Sequence, residues 1–149
     1  MKYSAADIAN WYIWRVNEDA EYGDNITNLK LQKLVYYAQG FHLATFESPL
    51  FDDEIRAWLH GPVVPVLYQT YKTYGATPIP TPPGYVPAAV LNGDARDLLE
   101  DVYGVYGQFS AWGLRNLTHE EAPWQETPMN EVITHEIMRN YFKEHLARG

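Results

Sequence analysis

The sequence contains no cysteine, so neither disulfide bonds nor thiolate chemistry is available to it. It also has no apolar run long enough to cross a membrane, and no apolar signal-peptide core follows its first residues. Basic residues are few, with 11 Lys and Arg against 19 Asp and Glu, and the net charge of −8 disfavours binding to nucleic-acid phosphates. We therefore expect a cytoplasmic protein that acts on neither membranes nor nucleic acids.

The chain has 149 residues and 46% hydrophobic residues, which suits one domain over 1–149 with a core of its own. Aromatic residues make up 15% of the chain, including 12 Tyr and 5 Trp. Such side chains favour protein interfaces, because they bury a large area and keep a polar group. A tyrosine-rich core explains them equally well, and the composition leaves both explanations open.

Apolar residues recur at three- and four-residue spacing in most of the sequence. The stretches with this pattern are roughly 5–20, 28–46, 62–74, 94–107, 110–117 and 134–146. The pattern predicts a mainly α fold, a single compact domain of about six helices.

Two segments lack the helical pattern. Near 53–59, apolar Ile55, Ala57 and Leu59 alternate with polar residues, which indicates either a weak strand or an extended segment. Residues 76–93 are dense in proline, which forbids helix and central strand. We expect a long loop there, or an edge hairpin.

Gly61-Pro62 predicts an end to the preceding segment and the start of a helix at Pro62, with His60 just before its N-terminus. His60, His119 and the carboxylate of Glu120 could form an acid–base site if they met in one cleft. The commoner role of such histidines is to satisfy backbone groups at helix ends and turns. We predict no catalytic residue.

No motif predicts a metal or a cofactor. His135-Glu136 begins like a zinc-protease motif, but Arg139 stands where the second histidine is required. The run at 119–121 would bring three ligands together only if the turn folded back on itself. Phosphate-binding loops, dinucleotide fingerprints and the nucleophile elbow of hydrolases do not occur in the sequence.

Lys30, Lys33 and Tyr37 fall on the side of the second helix away from its apolar stripe. In an acidic protein, this small basic and aromatic patch is best explained as a solvated helix face with packed stems. Contact with another protein is the next alternative, and contact with nucleic acid is the weakest.

Several motifs together resemble the Panacea domain, also called the SocA-like antitoxin domain, a family that includes phage-associated GepA-type proteins. Their order and spacing agree with that family over nearly the whole chain. They are LKLQKLVYYAQ at 29–39, PLF at 49–51, IRAWLHGPVV at 55–64, LRNLTH at 114–119 with PW at 123–124, and the last helix at 137–142.

The resemblance implies a bacterial or phage antitoxin that binds and neutralises a cognate protein toxin. Toxins of this family are diverse and include small alarmone synthetases that block translation. The resemblance also implies one alternative, an adaptor that delivers the toxin to a cellular protease. A second alternative rests on His60, His119 and Glu120 instead: an enzyme that reverses the toxin's modification. Relatives often carry an aromatic residue where His60 stands, which disfavours catalysis by His60.

We predict that seven residues form the surface or groove around the toxin contact. Structural packing is an alternative for each of them, and Trp58 and Trp124 in particular could be core residues. The seven are Lys30, Lys33, Tyr37, Trp58, His60, His119 and Trp124.

Overall fold

The computed structural model describes residues 3–19 and 26–148. Within these ranges the chain forms eight α-helices, one 3₁₀ turn at Lys72–Tyr74 and one two-stranded antiparallel hairpin. The predicted mainly α fold is therefore confirmed. The elements are α1 (Ala5–Glu18), α2 (Asn28–Phe46), β1 (Arg56–Trp58), β2 (Gly61–Val63), α3 (Pro65–Tyr71), α4 (Pro87–Val90), α5 (Gly93–Tyr106), α6 (Ala111–His119), α7 (Ala122–Gln125) and α8 (His135–Arg148).

Helix α2 is the centre of the fold. It begins at the Thr27 cap, and α1, α5, α6 and α8 all pack on it. Helix α8 packs so closely on α2 at Gly40 that a Cβ there would lie 2.2 Å from the Phe142 ring. With helices on most of its sides, α2 buries polar as well as apolar side chains.

The segment near 53–59 resolves into strand β1, and Pro62 lies in strand β2 rather than at a helix start. The prediction of a helix from Pro62 is therefore wrong at its beginning: α3 starts at Pro65. Backbone hydrogen bonds on both edges of β1 explain the difference. In the register of the hairpin Ala57 lies opposite Pro62, and on the other edge its amide donates to the Glu131 carbonyl at 3.0 Å. Proline is tolerated because β2 is an edge strand.

The predicted long loop forms over 76–92, interrupted by the one-turn helix α4, and no part of it is a strand; α5 begins at Gly93. Ile79 is buried in the core, and its amide donates to the Ile26 carbonyl at 2.9 Å. Asn17 holds the next stretch of the loop by donating from Nδ2 to the Ile79 carbonyl at 3.1 Å. The loop is thus tied to both α1 and the start of α2.

Candidate functional site

The hairpin projects a two-residue turn, Leu59-His60, from the body of the fold. Gly61 follows the turn with φ of +108°, a conformation that side chains other than glycine rarely adopt. A Cβ at Gly61 would lie 2.7 Å from Thr118 Oγ1 and 3.0 Å from Lys33 Cε. The hairpin can lie this close to α2 and α6 only because residue 61 has no side chain.

Lys33 lies beneath the hairpin and is fully buried. Its Nζ donates to the Pro62 carbonyl at 2.9 Å, which ties α2 to strand β2. Burial, together with the smaller effect of the nearby Arg115 charge, lowers the pKa of Lys33 to about 7. The prediction that Lys33 lies on a solvated helix face is therefore wrong.

Lys30 and Tyr37 are also buried on α2, in contrast to the predicted solvated face. Lys30 Nζ donates to the Gly107 carbonyl at 2.7 Å, where α5 ends. The Tyr37 hydroxyl donates to Glu121 Oε2 at 2.9 Å, and the Tyr37 ring stacks on Tyr106 with a centroid distance of 3.9 Å. Each long polar side chain finds an acceptor within the fold, so the polar side of α2 is packed rather than solvated.

His119 joins the hairpin to α6. Its Nδ1 lies 2.7 Å from the Arg115 carbonyl, and its Nε2 lies 2.9 Å from the Leu59 carbonyl. Because carbonyl oxygens only accept hydrogen bonds, a doubly protonated ring donates both bonds and a neutral ring donates one. The ring also packs on Trp124, with centroids 3.9 Å apart. Both ring nitrogens of His119 are thus engaged by the backbone.

Trp58 of strand β1 and Trp124 of helix α7 are both half-buried, and their contacts hold the hairpin in place. Trp124 Nε1 donates to the Trp58 carbonyl at 2.8 Å. The Trp58 indole N–H donates to Asn130 Oδ1 at 3.1 Å, and its ring meets Tyr68 edge-on at 5.2 Å. These contacts fix the orientation of β1 relative to α3 and α7.

His60 is exposed at the tip of the turn and faces α6. Its Nδ1 accepts a hydrogen bond from Arg115 Nε at 3.3 Å, and its ring lies 5.6 Å from the Trp112 ring. The Arg115 guanidinium in turn stacks over Trp112, at 4.5 Å from the ring centroid. The turn and the start of α6 therefore present one continuous polar and aromatic surface.

A groove of about 410 Å³ opens beside this surface. Trp58 and His60 line its hairpin side, Tyr68 of α3 and Trp112 of α6 line its other sides, and Gln32 of α2 contributes to the wall. Leu59 is 65% exposed and Trp112 is 53% exposed at its rim. We call the exposed side chains of Leu59, His60, Tyr68 and Trp112 the hairpin surface.

The structure brings four of the seven predicted residues together around the hairpin, namely Trp58, His60, His119 and Trp124, with Lys33 buried beneath them. Lys30 and Tyr37 lie elsewhere in the core. Partner contact by these residues stays a prediction. Among residues 3–19 and 26–148, no three His, Asp or Glu side chains are arranged to hold a metal ion. None of the helices in these ranges is long and apolar enough to span a bilayer.

The family model described as Antitoxin SocA-like, Panacea domain, matches residues 31–125, from the first turn of α2 through α7. The chain belongs to the Panacea-domain family. Antitoxin SocA of Caulobacter vibrioides (strain NA1000 / CB15N) is 44% identical over 50 residues, which cover 34% of this chain and 27% of SocA. The chain thus aligns with about a quarter of that relative's length. No solved structure matches.

The Panacea-domain match contains the whole hairpin and the three side chains that hold it, Lys33 of α2, His119 of α6 and Trp124 of α7. Six of the seven predicted residues lie inside it, and Lys30 falls one position before it. The part of the chain that carries the family resemblance is therefore also the part that builds the hairpin surface.

Sequence reasoning missed Leu59, Tyr68 and Trp112 as parts of this surface. Trp112 carried a usable signal: it falls off the apolar stripe of Leu114 and Leu117, and a large apolar residue on a polar helix face is informative. Leu59 gave no such signal, because its alternation with Ile55 and Ala57 predicts an inward-facing strand residue. The turn at Leu59-His60 breaks that alternation and leaves Leu59 exposed.

Glu121 forms a second buried ionisable site, next to Tyr37. Burial raises the pKa of Glu121 to about 8, the hydrogen bond from Tyr37 limits the rise, and the charge of Glu120 adds to it. An unfolded glutamate titrates near 4.3. The folded protein thus keeps a proton that the unfolded chain releases between these two values, and stability present at low pH is lost as the pH rises through this interval.

We expect Glu121→Gln to remove this loss of stability with rising pH, because glutamine has a neutral side chain of the same size at every pH. Urea unfolding at pH 5, 6 and 7 should show a decline in the wild-type free energy of unfolding, of at most about 1.4 kcal/mol per pH unit, that is absent from the variant. Glu126→Gln, at an exposed glutamate, should keep the decline. An unchanged decline in Glu121→Gln would contradict the prediction.

Proposed function

We propose that this Panacea-domain chain is an antitoxin that neutralises a protein toxin by binding it directly at the hairpin surface, without catalysis. The observation that carries the proposal is the exposure of Leu59 and Trp112, 65% and 53%, where both line one groove. Large apolar side chains exposed together beside a groove are typical of protein interaction sites. The name of its relative, Antitoxin SocA, supports the antitoxin role.

The support beneath the hairpin favours tight binding. Lys33 holds β2 from below, His119 holds the turn through the Leu59 carbonyl, and Trp124 holds β1 through the Trp58 carbonyl. A surface that is already ordered loses little conformational entropy when a partner docks. Lys33 would therefore act in binding through the hairpin it supports, and Trp58 and His60 through the groove they line.

The proposed partner is a cognate toxin with an apolar knob for the groove and a basic surface around it. The net charge of −8 suits such a partner, because complementary charge speeds association. Small alarmone synthetases that block translation are the toxin class to test first, since the family resemblance includes them.

We expect Leu59→Glu to weaken toxin binding at least about tenfold, because it places a carboxylate in the centre of an apolar contact. Co-expression with the toxin measures rescue of growth, and titration of the purified pair measures affinity. The matched control is Val86→Glu, because Val86 is 58% exposed but lies in the 76–93 loop. Equal binding by both variants would exclude the hairpin surface as the contact.

Co-expression with the toxin and titration of the purified pair also distinguish direct binding from the two alternative functions. An adaptor that delivers the toxin to a protease lowers the amount of toxin only in cells that contain the protease, whereas direct binding leaves the amount unchanged. An enzyme that reverses the toxin's modification neutralises at substoichiometric amounts and leaves no stable complex. Direct binding predicts a one-to-one complex from which active toxin is recovered on dissociation. Both nitrogens of His119 already face carbonyl oxygens, which disfavours His119 as a general base.

A further inference from the structure

A second groove lies between α2, α5 and α8 and shares no lining residue with the groove at the hairpin. Its volume is about 360 Å³. Phe41 and Phe46 of α2 form its floor, Leu98 and Val105 of α5 form one wall, and Leu146 of α8 closes the far end. Val105 is 54% exposed, so apolar surface is open to solvent along the groove.

The rim of this groove is acidic. Asp94, Asp97 and Asp101 lie three and four residues apart, which places them on one face of α5 along the groove. Asp97 pairs with its exposed neighbour Arg96 at 3.1 Å. Asp94 and Asp101 form no salt bridge with any residue in 3–19 or 26–148. Two carboxylates beside an apolar floor thus have no counter-charge in the described fold.

The length of the groove suits a short helix. From Asp94 to Val105 the α5 backbone rises about 17 Å, which corresponds to about three turns of a partner helix. An amphipathic helix docks in such a groove through apolar side chains spaced three and four residues apart. Lys or Arg residues flanking that apolar face would lie beside the α5 aspartates.

We propose that this acidic groove binds an amphipathic α-helix of a partner protein that carries Lys or Arg along the edge of its apolar face. Charge complementarity supports this occupant. A second copy of the chain is a poor occupant through the same face, because two acidic rims would be brought together. The groove is a contact site additional to the hairpin surface, and it stands whether or not the hairpin surface binds a toxin.

The probe is a labelled peptide of about 14 residues that consists of leucine and lysine, with the leucines on one helical face. A peptide of the same composition in scrambled order is the control ligand. Fluorescence anisotropy at about 0.15 M salt, where the Debye length is about 8 Å, measures binding to the full chain with long-range attraction screened. The proposal predicts that the patterned peptide binds more tightly than the scrambled one.

Three variants locate the binding. Val105→Asp introduces a carboxylate into the apolar wall formed by α5 and should weaken binding of the patterned peptide about tenfold. Asp94→Asn with Asp101→Asn should weaken it about fivefold, and Glu126→Gln with Glu131→Gln, which removes the same charge from other exposed positions, should have little effect. Circular dichroism confirms that each variant is folded.

Equal affinity for the two peptides, or an affinity that Val105→Asp leaves unchanged, would overturn the proposal. A concentration-dependent dimer of the wild type that Val105→Asp abolishes would also overturn it, by identifying a second copy as the occupant. Leu59→Glu should bind the patterned peptide like the wild type, so the failure of this proposal is distinguishable from the failure of toxin binding at the hairpin surface.

Discussion

Replacing Gly61 by alanine is expected to lower the free energy of unfolding by about 3 kcal/mol. Two effects add. The backbone of Gly61 has φ of +108°, which strains any residue with a Cβ. The new methyl group would also lie 2.7 Å from Thr118 Oγ1 and 3.0 Å from Lys33 Cε, closer than carbon atoms pack without strain.

The neighbours of that methyl group cannot easily move away. Lys33 is held by the hydrogen bond from its Nζ to the Pro62 carbonyl at 2.9 Å. Thr118 is fully buried, and its hydroxyl donates to the Arg115 carbonyl at 2.8 Å. Relief would require the hairpin to lift from α2 and α6, which would also displace the hairpin surface. We therefore expect loss of toxin binding together with the loss of stability.

Urea denaturation of Gly61→Ala and Gly84→Ala separates the cost of backbone strain from the cost of steric overlap. Gly84 also has positive φ, +70°, but a Cβ there would meet nothing within 4 Å. Gly84→Ala should cost about 1 kcal/mol, from backbone strain alone. A loss for Gly61→Ala no larger than that of Gly84→Ala would show that the close approach of the hairpin to Lys33 and Thr118 is not required.

The helices could be predicted because their signals are local. Ser4 and Asp7 form a reciprocal capping box at the start of α1, and the Thr27 side chain accepts from the Lys30 amide at the start of α2. Each of these signals lies within a few residues of the helix it starts. The short helices α4 and α7 escaped prediction because four residues contain no repeat of the helical period.

A small β element near 53–59 was among the predictions, but the second strand at Gly61–Val63 could not be predicted, because the contacts that hold the hairpin are distant in sequence. Ala57 is hydrogen-bonded to Asn130 and Glu131, more than 70 positions away. The start of α3 is set by Gln32 of α2, whose Oε1 accepts from the Val64 amide at 2.8 Å. Gly61-Pro62 alone is equally compatible with a helix start and with a strand after a turn, and tertiary hydrogen bonds decide between them.

The helical pattern of the sequence also gave no indication that Lys30, Lys33 and Tyr37 are buried. Polar residues on one side of a helix normally indicate solvent. Here each polar group has an acceptor supplied from far along the chain, at Gly107, Pro62 and Glu121. The family resemblance, by contrast, was recognisable from the sequence and is confirmed, because it rests on the order of motifs rather than on the environment of any one residue.

The free energy of unfolding should rise between pH 8 and pH 10, and Lys33→Met should abolish that rise. Burial lowers the pKa of Lys33 to about 7 in the folded protein, whereas an unfolded lysine titrates near 10.4. Between these values the unfolded chain binds the proton and the folded protein does not. Stability therefore increases with pH in this interval, by at most about 1.4 kcal/mol per pH unit.

Other buried ionisable groups change the free energy of unfolding mainly outside the range from pH 8 to pH 10. Glu121, with its pKa raised to about 8 by burial, lowers stability only as the pH rises toward 8. Burial raises the pKa of Tyr36 and Tyr37 above the usual tyrosine value near 10, so ionisation of the unfolded chain near pH 10 lowers stability equally in the wild type and in Lys33→Met. The difference in slope between the wild type and Lys33→Met from pH 8 to pH 10 is thus expected to report Lys33.

Methionine is unbranched like lysine, one atom shorter, and carries no charge, so Lys33→Met should lack the rise in free energy of unfolding over this range. It loses the hydrogen bond to the Pro62 carbonyl, which costs about 1 kcal/mol at every pH, and it no longer has a buried charge to accommodate. The variant should therefore be more stable than the wild type at pH 6 and less stable at pH 10. Lys72→Met, at an exposed lysine, should retain the wild-type slope. A rise of equal size in Lys33→Met and the wild type would show that Lys33 is not the group that titrates.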